Sequence, residues 1–103
     1  MTQRFLVVYE HGKRNFSGFA PDVPGCISTG KTLAEMRRMM REALEAHLQW
    51  MAEEGDPMPV SRTRSVEFTE EDLSSVDPEH YFIVESLDVE MPTKRAEAQE
   101  LSA

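Results

Sequence analysis

The sequence predicts an α+β domain in the order β-β-β-α-β, in which one long helix covers one face of an antiparallel sheet. Two observations carry this prediction. Residues 1–30 hold three short apolar stretches separated by glycine, proline and asparagine turns, a pattern typical of an antiparallel meander. A long segment with apolar residues every three or four positions follows, which indicates an amphipathic helix. The length of 103 residues has room for one such domain.

Three strands are predicted before the helix. Residues 5–9 are β-branched and aromatic, and the turn formers at 11–15 connect them to a second strand at 16–20. Pro21, Pro24 and Gly25 end that strand, because proline lacks the ladder donor and glycine permits a bend. The third strand is short, covers residues 26–29 and is closed by Gly30.

The helix has clear signals at both ends. Thr32 is a good N-cap, and Glu35 three residues later predicts a capping box that satisfies the free donors of the first turn. Gly55 and Pro57 indicate where the helix stops. The residues expected to face the sheet share helical spacing; they are Leu33, Met36, Met40, Ala43, Leu44, His47 and Met51.

After the helix, residues 56–61 form an extended connector and residues 65–68 a short edge strand. Thr69 is expected to cap a helical turn with Asp72 behind it. The last strand covers residues 81–89. The domain therefore spans residues 1–90, and residues 91–103 are expected to be an acidic, flexible tail.

The charge of the chain is −8 and is unevenly placed. Residues 1–50 carry seven basic and five acidic side chains, whereas residues 51–103 carry four basic and fourteen acidic ones. This balance disfavours a nucleic-acid binder, which normally presents a basic face. The acidic second half is either a solvated face that maintains solubility or a surface that steers a basic partner.

Composition limits the setting and the chemistry. One cysteine gives no internal disulfide and suits a reducing compartment. No apolar stretch is long enough to span a bilayer, and the N-terminus does not read as a signal peptide, so we expect a small cytoplasmic domain. The three histidines have no metal-ligand spacing, and no metal or cofactor is predicted.

Residues 25–32 match the phosphate-loop pattern G-x-x-x-x-G-K-[ST] literally. That motif needs a buried parallel strand before the first glycine, and residues 20–24 cannot form one because two of them are proline. Residues 26–29 moreover read as a strand. Nucleotide binding is therefore not predicted.

Four segments together resemble the HicB antitoxin family. They are G-F-A-P-D-V-P-G-C at 18–26, T-G-K-T-L-A-E at 29–35, E-A at 42–43 and P-M-P-V-S at 57–61. The resemblance implies a partial ribonuclease-H-like domain without nuclease activity that forms dimers or tetramers. It also implies a partner: HicA, a small basic toxin that resembles a double-stranded-RNA-binding domain and cleaves mRNA.

The toxin is expected to contact acidic side chains and the turn after the second strand. These candidate partner-binding residues are Asp22, Val23, Pro24, Glu67, Glu85 and Asp88. Many family members append a DNA-binding domain, but residues 90–103 are too few and too acidic for one, so no nucleic-acid binding by this chain alone is expected.

Two alternatives remain at the level of sequence. The first is an orphan domain of the same fold that serves as a homo-oligomeric scaffold or regulator and has no toxin partner. The second is a small hydrolase in which Glu10, Asp22 and Glu85 hold magnesium. An acidic surface repels nucleic-acid substrates, which disfavours the second.

Overall fold

The computed structural model describes residues 1–92, in which four strands and two helices follow one another as β-β-β-α-α-β. The strands are β1 (Thr2–His11), β2 (Phe16–Phe19), β3 (Ile27–Gly30) and β4 (Tyr81–Glu90). The helices are α1 (Leu33–Glu53) and the short α2 (Glu70–Ser74). Most of the tail predicted at 91–103 lies outside the described residues.

The four strands form one antiparallel sheet in the order β3-β2-β1-β4. β1 and β4 pair over their whole lengths, from Thr2 opposite Glu90 to His11 opposite Tyr81. The hairpin between β1 and β2 is closed by the Gly12 N–H, which donates to the Asn15 carbonyl over 2.9 Å. The predicted α+β class is confirmed, because the meander of β1 to β3 is extended by β4 and one face is covered by α1.

The start of α1 confirms Thr32 as the N-cap. Its hydroxyl accepts the Glu35 N–H over 3.0 Å. The Glu35 carboxylate, however, accepts the backbone N–H of Lys31 over 3.0 Å, so the return bond of the predicted capping box reaches one residue further back. The exposed donors of the first turn are nevertheless partly satisfied, as the spacing requires.

The end of α1 also follows the sequence. Gly55 adopts a φ of 81°, a left-handed conformation that glycine reaches without steric cost. Its N–H donates to the Ala52 carbonyl, and the next N–H, of Asp56, reaches the Met51 carbonyl over 2.9 Å. These two bonds form a Schellman motif, which satisfies carbonyls left free at a helix end.

The core lies between α1 and one face of the sheet. Four fully buried helix residues, each one turn after the last, form its helical side; they are Met36, Met40, Leu44 and Leu48. The sheet contributes Phe5, Val7, Tyr9, Leu87 and Val89. The sequence-based prediction named His47 and Met51 at this end of the helix and omitted Leu48. In the structure Leu48 is fully buried and the other two are half-buried, because side chains four residues apart lie most directly on one face.

The edge strand predicted at 65–68 is wrong. These residues pair with no strand of the sheet within residues 1–92. The segment instead lies against the sheet face turned away from α1, where the Phe68 ring stacks on the Phe82 ring with centroids 4.7 Å apart. The alternation of Val66 and Phe68 is therefore satisfied by packing on a sheet face rather than by strand pairing.

Candidate partner-binding surface

The two faces of the sheet differ in what covers them. Because side chains alternate along a strand, β1 directs Phe5, Val7 and Tyr9 toward α1 and Leu6 and Val8 to the opposite side. We call that opposite side the open face. The long helix α1 does not pack against it, and the segment 61–75, which includes the short helix α2, covers it only in part.

An apolar row crosses the open face through all four strands. The strand registers place Ile27 opposite Phe19, Phe19 opposite Val8, and Val8 opposite Val84. Val8 in the centre is buried, whereas Ile27, Phe19 and Val84 are 66%, 46% and 40% exposed. Ile27 and Phe19 thus form an exposed apolar patch on one side of Val8, and Val84 is exposed on the other side. Exposed apolar patches are characteristic of interaction surfaces.

The connector after α1 is tied to the sheet at two places. Ser61 donates its N–H to the Gln3 side chain over 2.9 Å and its hydroxyl to the Arg4 carbonyl. Next to it, the Asp22 carboxylate accepts the N–H groups of Arg62 and Thr63 over 2.7 and 2.8 Å, and the Thr63 hydroxyl over 2.7 Å. Asp22 therefore joins the β2–β3 turn to the connector.

The ionisation of Asp22 reflects these bonds. Its burial alone would raise the pKa of the carboxyl, but the hydrogen bonds from Thr63 and Arg62 outweigh burial and hold the pKa below its usual value. Because three donors within the chain already occupy its oxygens, Asp22 is an anchor for the connector in this structure.

After the bonds to Asp22, residues 66–75 and the open face together line a groove of about 600 Å³. Its apolar lining consists of Val8, Phe19, Val66, Phe68 and Phe82. Four carboxylates also line it; they are Glu10, Glu67, Glu71 and Asp72. The described lining contains no lysine or arginine, so the groove combines an apolar floor with a net negative charge.

The four carboxylates differ in how far they are engaged. Asp72 accepts the Thr69 N–H over 2.9 Å in the capping box that opens α2, as the sequence predicts. Glu10 faces His80. Glu67 and Glu71 form no ion pair with any basic group of residues 1–92. Within the described part of the chain, these last two carboxylates therefore have no cationic partner.

His80 holds the segment after α2 against the sheet. Its Nε2 lies 2.7 Å from the Glu10 carboxylate and its Nδ1 lies 2.9 Å from the Ser75 carbonyl. Both ring nitrogens thus face acceptors, which the doubly protonated ring satisfies. The hydrogen bond to Glu10, supported by that to Ser75 and by the charge of Asp77, raises the pKa of His80 above its usual value.

Glu85 lies on the other side of the sheet, facing α1. Arg37 grips its carboxylate at both oxygens, with Nη2 2.8 Å from Oε1 and Nε 2.9 Å from Oε2. The Tyr9 hydroxyl donates to the same carboxylate over 2.8 Å. Burial opposes ionisation of Glu85, but Arg37 and Tyr9 outweigh it and lower the pKa. The pKa of Tyr9 is raised, mainly by burial of its hydroxyl and next by the hydrogen bond to Glu85.

The six predicted partner-binding residues do not form one cluster. Glu67 lines the groove, Glu85 faces the helix, and Asp88 is exposed and forms an ion pair with Arg4 over 2.9 Å. In the β2–β3 turn, Val23 is buried in the core and Pro24 is exposed. Among these six, the groove brings only Glu67 together with apolar side chains.

The aromatic residues of the groove are not among the site residues predicted from sequence. A signal for one of them exists in β2, where Phe16 and Phe19 are three residues apart. Residues at odd spacing point to opposite faces of a strand, so one of these two rings had to lie away from the core. Phe68 and Phe82 are brought together only by the path of the connector.

The magnesium-site alternative is not compatible with the positions of its ligands. Glu10 is on the open face with His80, Glu85 is on the helix side with Arg37, and Asp22 is bound to the connector. No three metal-ligating side chains converge anywhere in residues 1–92. The residues that match the phosphate-loop pattern do not form such a loop. Ile27–Gly30 is β3, an edge strand of an antiparallel sheet.

The family model for the HicB_like antitoxin of bacterial toxin-antitoxin systems matches residues 5–100, which is most of the chain. The chain belongs to this HicB-like antitoxin family. The match includes the β2–β3 turn, the start of α1 and the connector, the segments on which the resemblance in sequence rests.

Two solved structures share the fold of this HicB-like chain. One is a chain of the HicA3 and HicB3 toxin-antitoxin complex, with a TM-score of 0.56 and 22% identity over 88% of this chain and all of that chain. The other is the N-terminal domain of Burkholderia pseudomallei antitoxin HicB, with a TM-score of 0.50 and 22% identity over 84% of this chain and all of that one.

Two curated proteins are similar to it in sequence. A UPF0150 protein of Thermotoga maritima is 34% identical over 65 residues, which is 63% of this chain and 83% of that protein. An uncharacterized 14.9 kDa protein of Haemophilus phage HP1, from the rep-hol intergenic region, is 44% identical over 41 residues, or 40% of this chain. The HicB-like chain matches only 31% of the phage protein's length.

No helix among the described residues of this HicB-like chain is both long and apolar enough to cross a membrane. The long helix α1 carries charged side chains along its solvent face, including Arg38 and Glu42, which form an ion pair at 3.8 Å.

Proposed function

We propose that this chain is a non-enzymatic antitoxin that binds a small basic ribonuclease toxin of the HicA type and covers its active site. The observation that carries the proposal is the acidic groove on the open face of a chain from an antitoxin family. Carboxylates that have no ion pair within residues 1–92, next to the exposed Phe19 ring and the half-buried Phe68 and Phe82 rings, suit a partner that is both basic and partly apolar. They do not suit RNA or DNA, whose phosphates they repel.

A direct inhibitory role agrees with the state of the chain's own polar groups. Asp22 and Glu85 are engaged by internal hydrogen bonds, and the thiol of Cys26 is buried, which raises its pKa and lowers its reactivity. A single buried thiol also suits action in the cytoplasm. Inhibition is then expected to come from occlusion of the toxin rather than from chemistry on a substrate.

The test is reconstitution of inhibition. The tagged chain is purified from its host, and a stoichiometric basic protein of about 60–90 residues, the size of one small domain, is identified by mass spectrometry. Separated from the chain, that protein is expected to cleave RNA, and cleavage should stop when the chain is added back at an equimolar ratio. A co-purifying protein without ribonuclease activity, or activity that the chain does not suppress, would refute the proposal.

One observation favours a second candidate, the toxin-free homo-oligomeric scaffold. The exposed row through Ile27, Phe19 and Val84 could be buried between two copies of the chain. In the antitoxin proposal this assembly is a dimer or tetramer that also binds toxin. Sedimentation equilibrium of the chain alone and with the toxin separates the two, since the scaffold shows an oligomer and no added mass from a partner.

A further inference from the structure

We propose that the groove on the open face is the docking site for a basic, amphipathic segment of the toxin. An apolar side chain of that segment seats against Phe19, Phe68 and Phe82, and lysine or arginine side chains flanking it pair with Glu67 and Glu71. The inference rests on the proposed function and identifies the surface and the chemistry by which it is performed.

The apolar part of the site is already assembled. Phe68 and Phe82 are stacked at 4.7 Å, so their rings are held before a partner arrives. Phe19 stands at the junction between the groove and the apolar row, and nearly half of it is exposed. A pre-organised aromatic pocket costs little conformational entropy when it is filled, which is a property of residues that dominate binding energy.

The negative charge of the groove favours an occupant that is positively charged. His80 is the one group with a titratable positive charge in the described lining, and it is already bonded to Glu10 and Ser75. Cations of a partner therefore meet Glu67 and Glu71, which have no ion pair within residues 1–92. An anionic lipid surface or a nucleic acid would meet the same carboxylates and be repelled.

A second copy of the chain fits the groove less well. Each copy carries a charge of −8, so burying four groove carboxylates against another copy adds like-charge repulsion to their desolvation. The apolar row outside the groove has no such restriction, because Ile27 and Val84 do not line it. The two surfaces are thus suited to different partners.

The experiment measures the affinity of the reconstituted toxin for paired variants of the full chain. Glu67→Gln with Glu71→Gln removes the two groove charges that have no ion pair within residues 1–92, without changing side-chain size. Glu42→Gln with Glu54→Gln removes the same total charge from helix α1 and its C-cap residue, on the other side of the sheet, and is the matched control. Phe19→Ala removes the exposed ring, and its control is Trp50→Ala, an exposed aromatic of α1 outside the groove.

The groove charge pair is expected to weaken toxin binding about tenfold, as the sum of two exposed ion pairs. Phe19→Ala is expected to weaken it by about tenfold or more. Both controls should change affinity less than about twofold. If the wild-type chain inhibits the toxin and both groove variants bind it as tightly as the wild type, the groove assignment is overturned while the antitoxin function stands.

A peptide experiment decides the groove if the wild-type chain binds no toxin. The probe is a short synthetic peptide of alternating lysine and leucine, and the control peptide replaces lysine with glutamate. Nuclear magnetic resonance shifts are expected at Phe19, Phe68 and Phe82 with the lysine peptide and not with the glutamate peptide. Shifts confined to other surfaces, or no shifts, would overturn the groove as a basic-segment site.

Discussion

Replacement of Gly30 by alanine tests how closely α1 is seated on the sheet. Gly30 ends β3 three residues before α1 begins, and the first turn of the helix lies on its Cα. A methyl group there would lie 2.6 Å from the backbone nitrogen and 2.7 Å from the Cα of Met36. Since favourable contacts between such atoms are near 3.5–4 Å, the helix start must move by about 1 Å.

The magnitude follows from two opposing terms. Inserting a methyl group into a packed site costs about 1–3 kcal/mol, and the upper part of that range applies because the clash is with backbone. Alanine also restricts the unfolded chain, which offsets about 0.4–1 kcal/mol. We expect a net loss of about 2 kcal/mol in the free energy of unfolding, which corresponds to a melting temperature about 10 °C lower for a domain of this size.

The assay is thermal and urea unfolding followed by circular dichroism, with Gly12→Ala as the control. A methyl group at Gly12 has its nearest neighbour at 3.8 Å, an ordinary contact, so this variant changes the unfolded chain by the same term without a clash. Gly12→Ala should melt at or slightly above the wild-type temperature. Equal melting temperatures for the two variants would refute the close seating of α1 on β3.

Three further predictions concern the core, a titratable contact and the connector. Leu44→Ala should lower the free energy of unfolding by about 2–5 kcal/mol in urea titration, because Leu44 is fully buried between helix and sheet. The folded pKa of His80 is raised, so its stabilisation is complete below the unfolded value of about 6.5 and is lost as pH rises through the folded value. The urea midpoints of wild type and His80→Gln should accordingly converge at alkaline pH, and a constant difference would contradict this linkage. Asp22→Asn should speed hydrogen exchange at the Arg62 and Thr63 amides, whereas unchanged exchange would show that Asp22 does not hold the connector.

The elements that could be predicted are those whose signals are local in sequence. Thr32 and Gly55 act on donors and acceptors within a few residues of themselves, and the capping box of Thr69 with Asp72 is equally local. Such chemistry works in almost any tertiary context. The amino-acid sequence is therefore sufficient to predict the class of the fold, the order of its main elements and both ends of the long helix.

The candidate site was less accessible because it depends on long-range geometry. The sequence alone suggests that Glu85 is a surface carboxylate. In the structure it forms an ion pair with Arg37, 48 residues away, on the helix side of the sheet. The two members of the Phe68–Phe82 pair belong to different segments, and only the path of the connector over the open face joins them. Charge alone points to Glu67, and it identifies the acidic segment but not the aromatic pocket beside it.

The full-length pairing of β1 with β4 has a mechanical consequence. Met1 and Met91 meet at one end of the sheet, where the Met91 N–H donates to the Met1 carbonyl over 2.8 Å. The groove lies at the other end of the ten-residue ladder, about 30 Å away. Tension applied between these two residues would act along the hydrogen bonds and peel β4 away pair by pair, like a zipper, instead of loading all of them in shear. Optical-tweezer pulling between Met1 and Met91 should therefore open the domain at low force, and the groove would be the last part of the ladder to part.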